Sequence, residues 1–234
     1  MAGNDPPEPG RLLMTSSPAA IKAAPASGLL QRLWRRLEAR LRPAPIATAG
    51  ALKTFLDERA ALIAQKCAID YCRGKTGLAS YALFTEKPFL DALDVCRWET
   101  YVCVLGDLFI ISEGYLRPHA AAERRPRLCD ALLELYSSVL GSMPAPAHRP
   151  DGWVDAVASF TLRLKAASLG EPQRALDVAD HSAKRLFDTL PIHISMRELD
   201  EEPVYGSVRF RMVAVSQEMQ RRLAAADLVV QLLP

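Results

Sequence analysis

Asp107 is the residue whose type and place ask most of their surroundings. It interrupts the apolar run from Tyr101 to Ile111. At about 100° per residue, Phe89, Cys96, Thr100, Cys103 and Asp107 fall along one side of a helix, with Val104 and Ile111 beside them. An ionised carboxylate in a core is costly unless it gains a cation or several hydrogen bonds, or is protonated. Two readings follow. In one, Asp107, Thr100 and Cys103 form a buried polar site with Asp107 as acid, base or anchor. In the other, Asp107 makes a buried ion pair with Arg97, Arg209 or Arg211. The ion pair is the expectation, because structural networks perturb titration as functional ones do.

The other chemistry-bearing residues fall short of a reaction centre. Cys96 and Cys103 lie two turns apart on one face, but structural zinc takes about four ligands. Both are expected to be buried, reduced and free of metal. Cys67 and Cys72 point in different directions on a helix, and buried thiols commonly act as small hydrophobes. Asp177 and His181, four residues apart, share a face and make a candidate local pair, yet no metal-binding His-Glu pattern accompanies them. Gly74-Lys75-Thr76 resembles the end of a phosphate-binding loop, but Ile69 stands where the first glycine of that loop belongs, and a helix precedes it instead of a strand. It reads as a helix C-cap. No Gly-x-Ser-x-Gly elbow occurs. No catalytic residue, metal site or cofactor is assigned.

The elements that position these residues read as helices throughout. Pro88 to Leu116 is apolar on nearly every side, the mark of a buried helix. Thr48 to Arg73 carries Leu52, Phe55, Leu56, Leu62, Ile63 and Ile69 at helical spacing, with Gly74 as its left-handed terminator. Arg124 to Gly141 has Leu128, Leu132, Leu135, Tyr136 and Val139 as its inner face. The Pro-rich stretch 143–152 is a candidate subdomain boundary. A helical hairpin follows, turning at Gly170 and Pro172 and ending at Pro191. After an irregular segment, Val208, Met212, Val215, Met219, Leu223, Ala226 and Val230 line one face of a last helix. The fold class is therefore all-α: a single domain of about six helices around the central helix 88–116, spanning 46–234.

Two further segments precede it. Residues 1–27 hold five prolines among Ser, Ala and Gly and are expected to be a disordered tail. Residues 28–45 are a basic amphipathic helix and its linker. Leu30, Leu33, Trp34, Leu37 and Leu41 form one stripe; Arg32, Arg35, Arg36, Arg40 and Arg42 cover the rest, and Pro43 and Pro45 stop it. A Leu/Trp face beside an Arg face suits an anionic membrane surface or an acidic protein groove. Arg32, Leu33, Trp34, Arg35, Arg36, Leu37 and Arg40 are the expected contacts.

The totals exclude some classes. Among 234 residues half are hydrophobic, enough for a sizeable core, and the net charge of +2 is too small to argue for nucleic acid. No apolar run approaches the roughly 20 residues of a membrane span. Five cysteines, an odd number, without a secretory leader point to reduced thiols in the cytoplasm, or on the inner face of a membrane. The functional expectation is a non-catalytic adaptor, assembly or regulatory protein that docks through helix 28–42 to a protein partner or an anionic membrane. The alternative is a small helical enzyme or ligand-binding protein with a polar pocket around Asp107. A concave, partly polar cavity at Asp107 favours the alternative, and a dry core with a paired Asp107 favours the adaptor.

Overall fold

The computed structural model describes residues 43–233. The expected tail 1–27 and helix 28–42 lie outside the described residues. Ala44–Pro234 is one compact unit, and the stretch 143–152 falls within it.

The longest element, α3 (Lys87–Leu116), dictates the arrangement. At 1.5 Å per residue it is about 45 Å long. From Glu99 to Glu113 all its residues but Cys103 are buried, so it must be covered on every side. α1 (Ala49–Thr76) covers one side and α6 (Ala175–Thr189) another; α4 (Arg125–Gly141) and α5 (Val154–Leu169) close the rest. α8 (Glu201–Arg222) packs chiefly on α6, and the short α9 (Ala225–Leu232) contacts α3, α1 and α4. Two single-turn helices, α2 (Ser80–Leu83) and α7 (Ile194–Arg197), sit in connections. The protein is all-α, and no strand occurs among the described residues.

Local chemistry sets most boundaries. Thr48 caps α1 by accepting the Ala51 N–H at 3.1 Å. The stop for α1 is Gly77, not Gly74: Gly77 holds φ +53°, and the helix runs through Gly74. Thr85 does not cap α3. Its hydroxyl donates to Ala82 O at 2.6 Å, and α3 starts after Glu86 with Pro88 in its first turn. The apolar stripe expected to run unbroken to Val230 is divided at Leu223 and Ala224. There the Ile46 N–H donates to Arg222 O at 2.8 Å and the Ala224 N–H to Ile46 O at 3.0 Å, so the chain's entry into the core takes the place of the next helical turn.

A buried pair at the far end of α3 fixes the hairpin. Glu113 and Arg117, one turn apart, bond at 2.7 and 2.5 Å. Arg117 also donates to Ala167 O at 2.9 Å and to Gly170 O, satisfying carbonyls that α5 leaves open at its end.

Candidate functional site

Along α3, Glu99, Cys103 and Asp107 recur every four residues and so share one face. Both carboxylates are buried, at 5% and 0% exposure, and each is compensated from another element. Glu99 accepts Arg149 Nε at 2.6 Å and Arg149 Nη2 at 2.8 Å, Arg185 Nε at 3.1 Å and also Arg185 Nη2. His148 Nε2 lies 3.0 Å from it. Asp107 accepts Arg163 Nη2 at 2.5 Å and the Ser182 N–H at 3.2 Å, and His181 Nδ1 lies 3.5 Å away. Arg149 comes from the 143–153 connection, Arg163 from α5, and Arg185 and His181 from α6.

Glu99, Arg149, Arg163, His181 and Arg185 line a cleft of about 330 Å³, the size of a small-molecule site. α3 contributes Val102, Cys103 and Gly106 to its wall, α4 contributes Tyr136, and α5 contributes Phe160 and Arg163. The Tyr136 and Phe160 rings are tilted by 30° with centroids 4.1 Å apart. Gly106 permits this approach, since a Cβ there would meet Phe160 Cδ2 at 3.2 Å. On the mouth side, the Arg149 guanidinium lies 5.1 Å from the centre of the Trp153 ring, and Trp153 packs on Trp98 at 6.2 Å.

The electrostatics separate positioning groups from reactive ones. Burial raises the Glu99 carboxyl, but hydrogen bonds and charge from Arg149 and Arg185 outweigh it and hold it at about 2, against an ordinary 4.5. Burial pushes the Cys103 thiol up to about 12, with Asp107 adding to the rise. Cys103 is thus a protonated thiol at neutral pH and a weak nucleophile. The Tyr136 phenol is also raised, first by burial, and donates to Val102 O at 3.3 Å. Glu99 and Asp107 are consumed by their cations, so what they supply is the orientation of arginine side chains.

Of the residues expected from sequence, Asp107 and Cys103 come to the cleft. Cys103 lines it, half-buried and not fully buried as expected, whereas Asp107 is fully buried behind the lining and reaches the cleft only through Arg163, which it holds. Cys96 is fully buried. Thr100 is fully buried but lies away from the cleft. The partner of Asp107 is Arg163, in place of the expected arginines: Arg97 lies 3.5 Å from Asp94, Arg209 bonds Asp180, and Arg211 bonds Asp70. Asp177 and His181 do not pair. Asp177 takes Arg174 at 2.7 Å, and His181 turns toward Asp107. Arg32, Leu33, Trp34, Arg35, Arg36, Leu37 and Arg40 lie outside the described residues. Sequence reasoning missed Glu99, Arg149, Arg163 and Arg185. Glu99 carried a signal, being a charge eight residues before Asp107 on the same face.

Among the described residues no group of three or more His, Cys, Asp or Glu is arranged to hold a metal ion. No helix among them is long and apolar enough to cross a membrane. Comparison with protein-family models, curated proteins and solved structures finds no match to this chain.

Proposed function

We propose that this protein is a small-molecule-binding protein whose site is the cleft lined by Glu99, Cys103, Arg163 and Arg185. One observation carries the reading: two buried carboxylates on α3 hold three arginines from separate elements around an open cavity. Buried ion pairs seldom stabilise a fold more than apolar replacements do. Their retention beside a cavity supports a role in presenting the arginines to something else.

The test is ligand discovery with a blocked control. Native mass spectrometry of gently purified protein and a thermal-shift screen against small metabolites should find compounds that bind wild type. Ser159→Trp, a substitution at an exposed position on the cleft's edge, should abolish binding while leaving the circular dichroism unchanged. Ligands that bind both forms equally would place the site elsewhere, and a screen without any binder would remove the reading.

A further inference from the structure

We propose that the cleft seats a single carboxylate group between Arg163 and Arg185, beside Cys103, on a small organic ligand. The proposal rests on the reading of the cleft as a binding site and names the class of ligand.

The guanidinium N–H groups around the cleft are unequally engaged. Arg149 commits Nε and Nη2 to Glu99 and Nη1 to Asp155. Arg163 commits only Nη2, to Asp107, which leaves Nε and Nη1. Arg185 commits Nε and Nη2 to Glu99, which leaves Nη1. Two arginines therefore reach the cleft already oriented and with donors to spare. A charge-assisted hydrogen bond to such a donor is worth more than a neutral one, and a carboxylate suits the planar fork.

Arg185 is anchored one turn before Cys103, on Glu99, and Arg163 one turn after it, on Asp107. Both arginines line the same cleft as Cys103. Gly106, next to this point, leaves Arg163 Nη1 3.8 Å from where a Cβ would sit.

Charge limits the ligand. Arg149, Arg163, Arg185 and Lys184 are matched by Glu99, Asp107, Asp155 and Asp188. A site so balanced has spare donors but no surplus charge, which suits a monoanion and disfavours a phosphate dianion. The Tyr136 and Phe160 rings back the inner wall of the cleft but are almost wholly buried, so the carboxylate is the recognised group.

Cys103 is a built-in reporter, because it is the one cysteine of the five that is not buried. Iodoacetate and iodoacetamide alkylate a thiol alike: sulfur displaces iodide from the methylene carbon, a C–S bond replaces C–I, and the thiol proton goes to buffer. They differ in carrying a carboxylate or a neutral amide. The full-length protein is treated with each reagent, and Cys103 modification is followed by peptide mass spectrometry, with glutathione as the reference thiol. The iodoacetate-to-iodoacetamide rate ratio at Cys103 should exceed that of glutathione by about tenfold. Arg185→Gln should bring it down to the glutathione value. Benzoate should protect Cys103, and benzamide and phenyl phosphate should not. If Cys103 reacts with neither reagent, calorimetric titration with the same three compounds reads the same preference. A ratio at or below that of glutathione, or tighter binding of phenyl phosphate, overturns the proposal. Equal protection by benzamide and benzoate also overturns it while leaving the binding reading standing. Failure of every compound, together with an empty ligand screen, removes both.

Discussion

Asp107 and Glu99 show how a carboxylate is kept inside a helical core. Each has its charge met by guanidinium groups that are themselves only partly buried, so the pair is desolvated on one side alone. Breaking such a pair is costly because the remaining charge is stranded. Asp107→Leu should destabilise the protein by about 3–5 kcal/mol, toward the lower end because Arg163 is 25% exposed and can rehydrate. Urea denaturation checks this, and an unchanged midpoint would show that the pair contributes nothing. Glu99 gives a pH signature. Its folded-state pKa of about 2 lies below the ordinary 4.5, so its stabilisation is fully present above pH 4.5 and is lost as pH falls toward 2. Wild type should therefore lose more stability across that window than Glu99→Gln does. Equal slopes for the two would contradict the ion pair. At this scale the sequence exposes Asp107, because one charge in an apolar run stands out. It does not expose Arg163, whose helix alternates polar and apolar residues in a way any surface helix would. Glu99 escapes notice because Arg97, Trp98 and Thr100 around it resemble an ordinary half-exposed turn.

At the scale of elements, the cleft depends on how closely α5 approaches α3. Gly106 sets that distance. Gly→Ala in a helix interior ordinarily adds up to about 1 kcal/mol of stability. At Gly106 the new methyl would press on Phe160, which is backed by Tyr136 and cannot withdraw freely. Gly106→Ala should therefore destabilise, while Gly206→Ala, in an exposed turn of α8 with nothing within 4 Å, should stabilise. Thermal midpoints of the two variants compare these effects directly, and a stabilised Gly106→Ala would show that α5 moves away without cost. The helices themselves are legible from three- and four-residue apolar spacing. Their ends are less so. Gly74 and Gly77 are equally good terminators by type, and only the backbone at Gly77 takes the left-handed conformation. The break at Leu223 is invisible locally because it is imposed by Ile46, which is remote in sequence.

For the molecule as a whole, the all-α class and the central place of α3 follow from an apolar segment too long and too uniform to be anything but buried. The cleft does not follow, since it forms where four elements and one connection converge. The role of Ile46 in closing the core gives a prediction at this scale. Ile46 is 1% exposed and exchanges two backbone hydrogen bonds with the 222–224 segment. A chain beginning at Ala44 should melt clearly higher than one beginning at Ala49. Equal midpoints would mean that this bridge is ornamental.

The same bridge has a kinetic consequence. It places the start of α1 beside the last helix, and the Ala49 N–H even donates to Gln231 Oε1 at 2.8 Å. A short linker from the end of α9 to Ala44, keeping Ile46 in place, could join these two regions, with new ends cut at the exposed Gly77–Leu78 turn. Every surface would survive the rewiring, so the fold should too. Yet α1 packs far more on α3 than on α8 or α9, and in the rewired chain its main partner becomes the one most distant along the sequence. Chain-closure entropy would then oppose the α1–α3 contact that the natural order makes local. The permuted protein should reach the same helical structure more slowly, with the delay in its refolding rate and not in its unfolding rate.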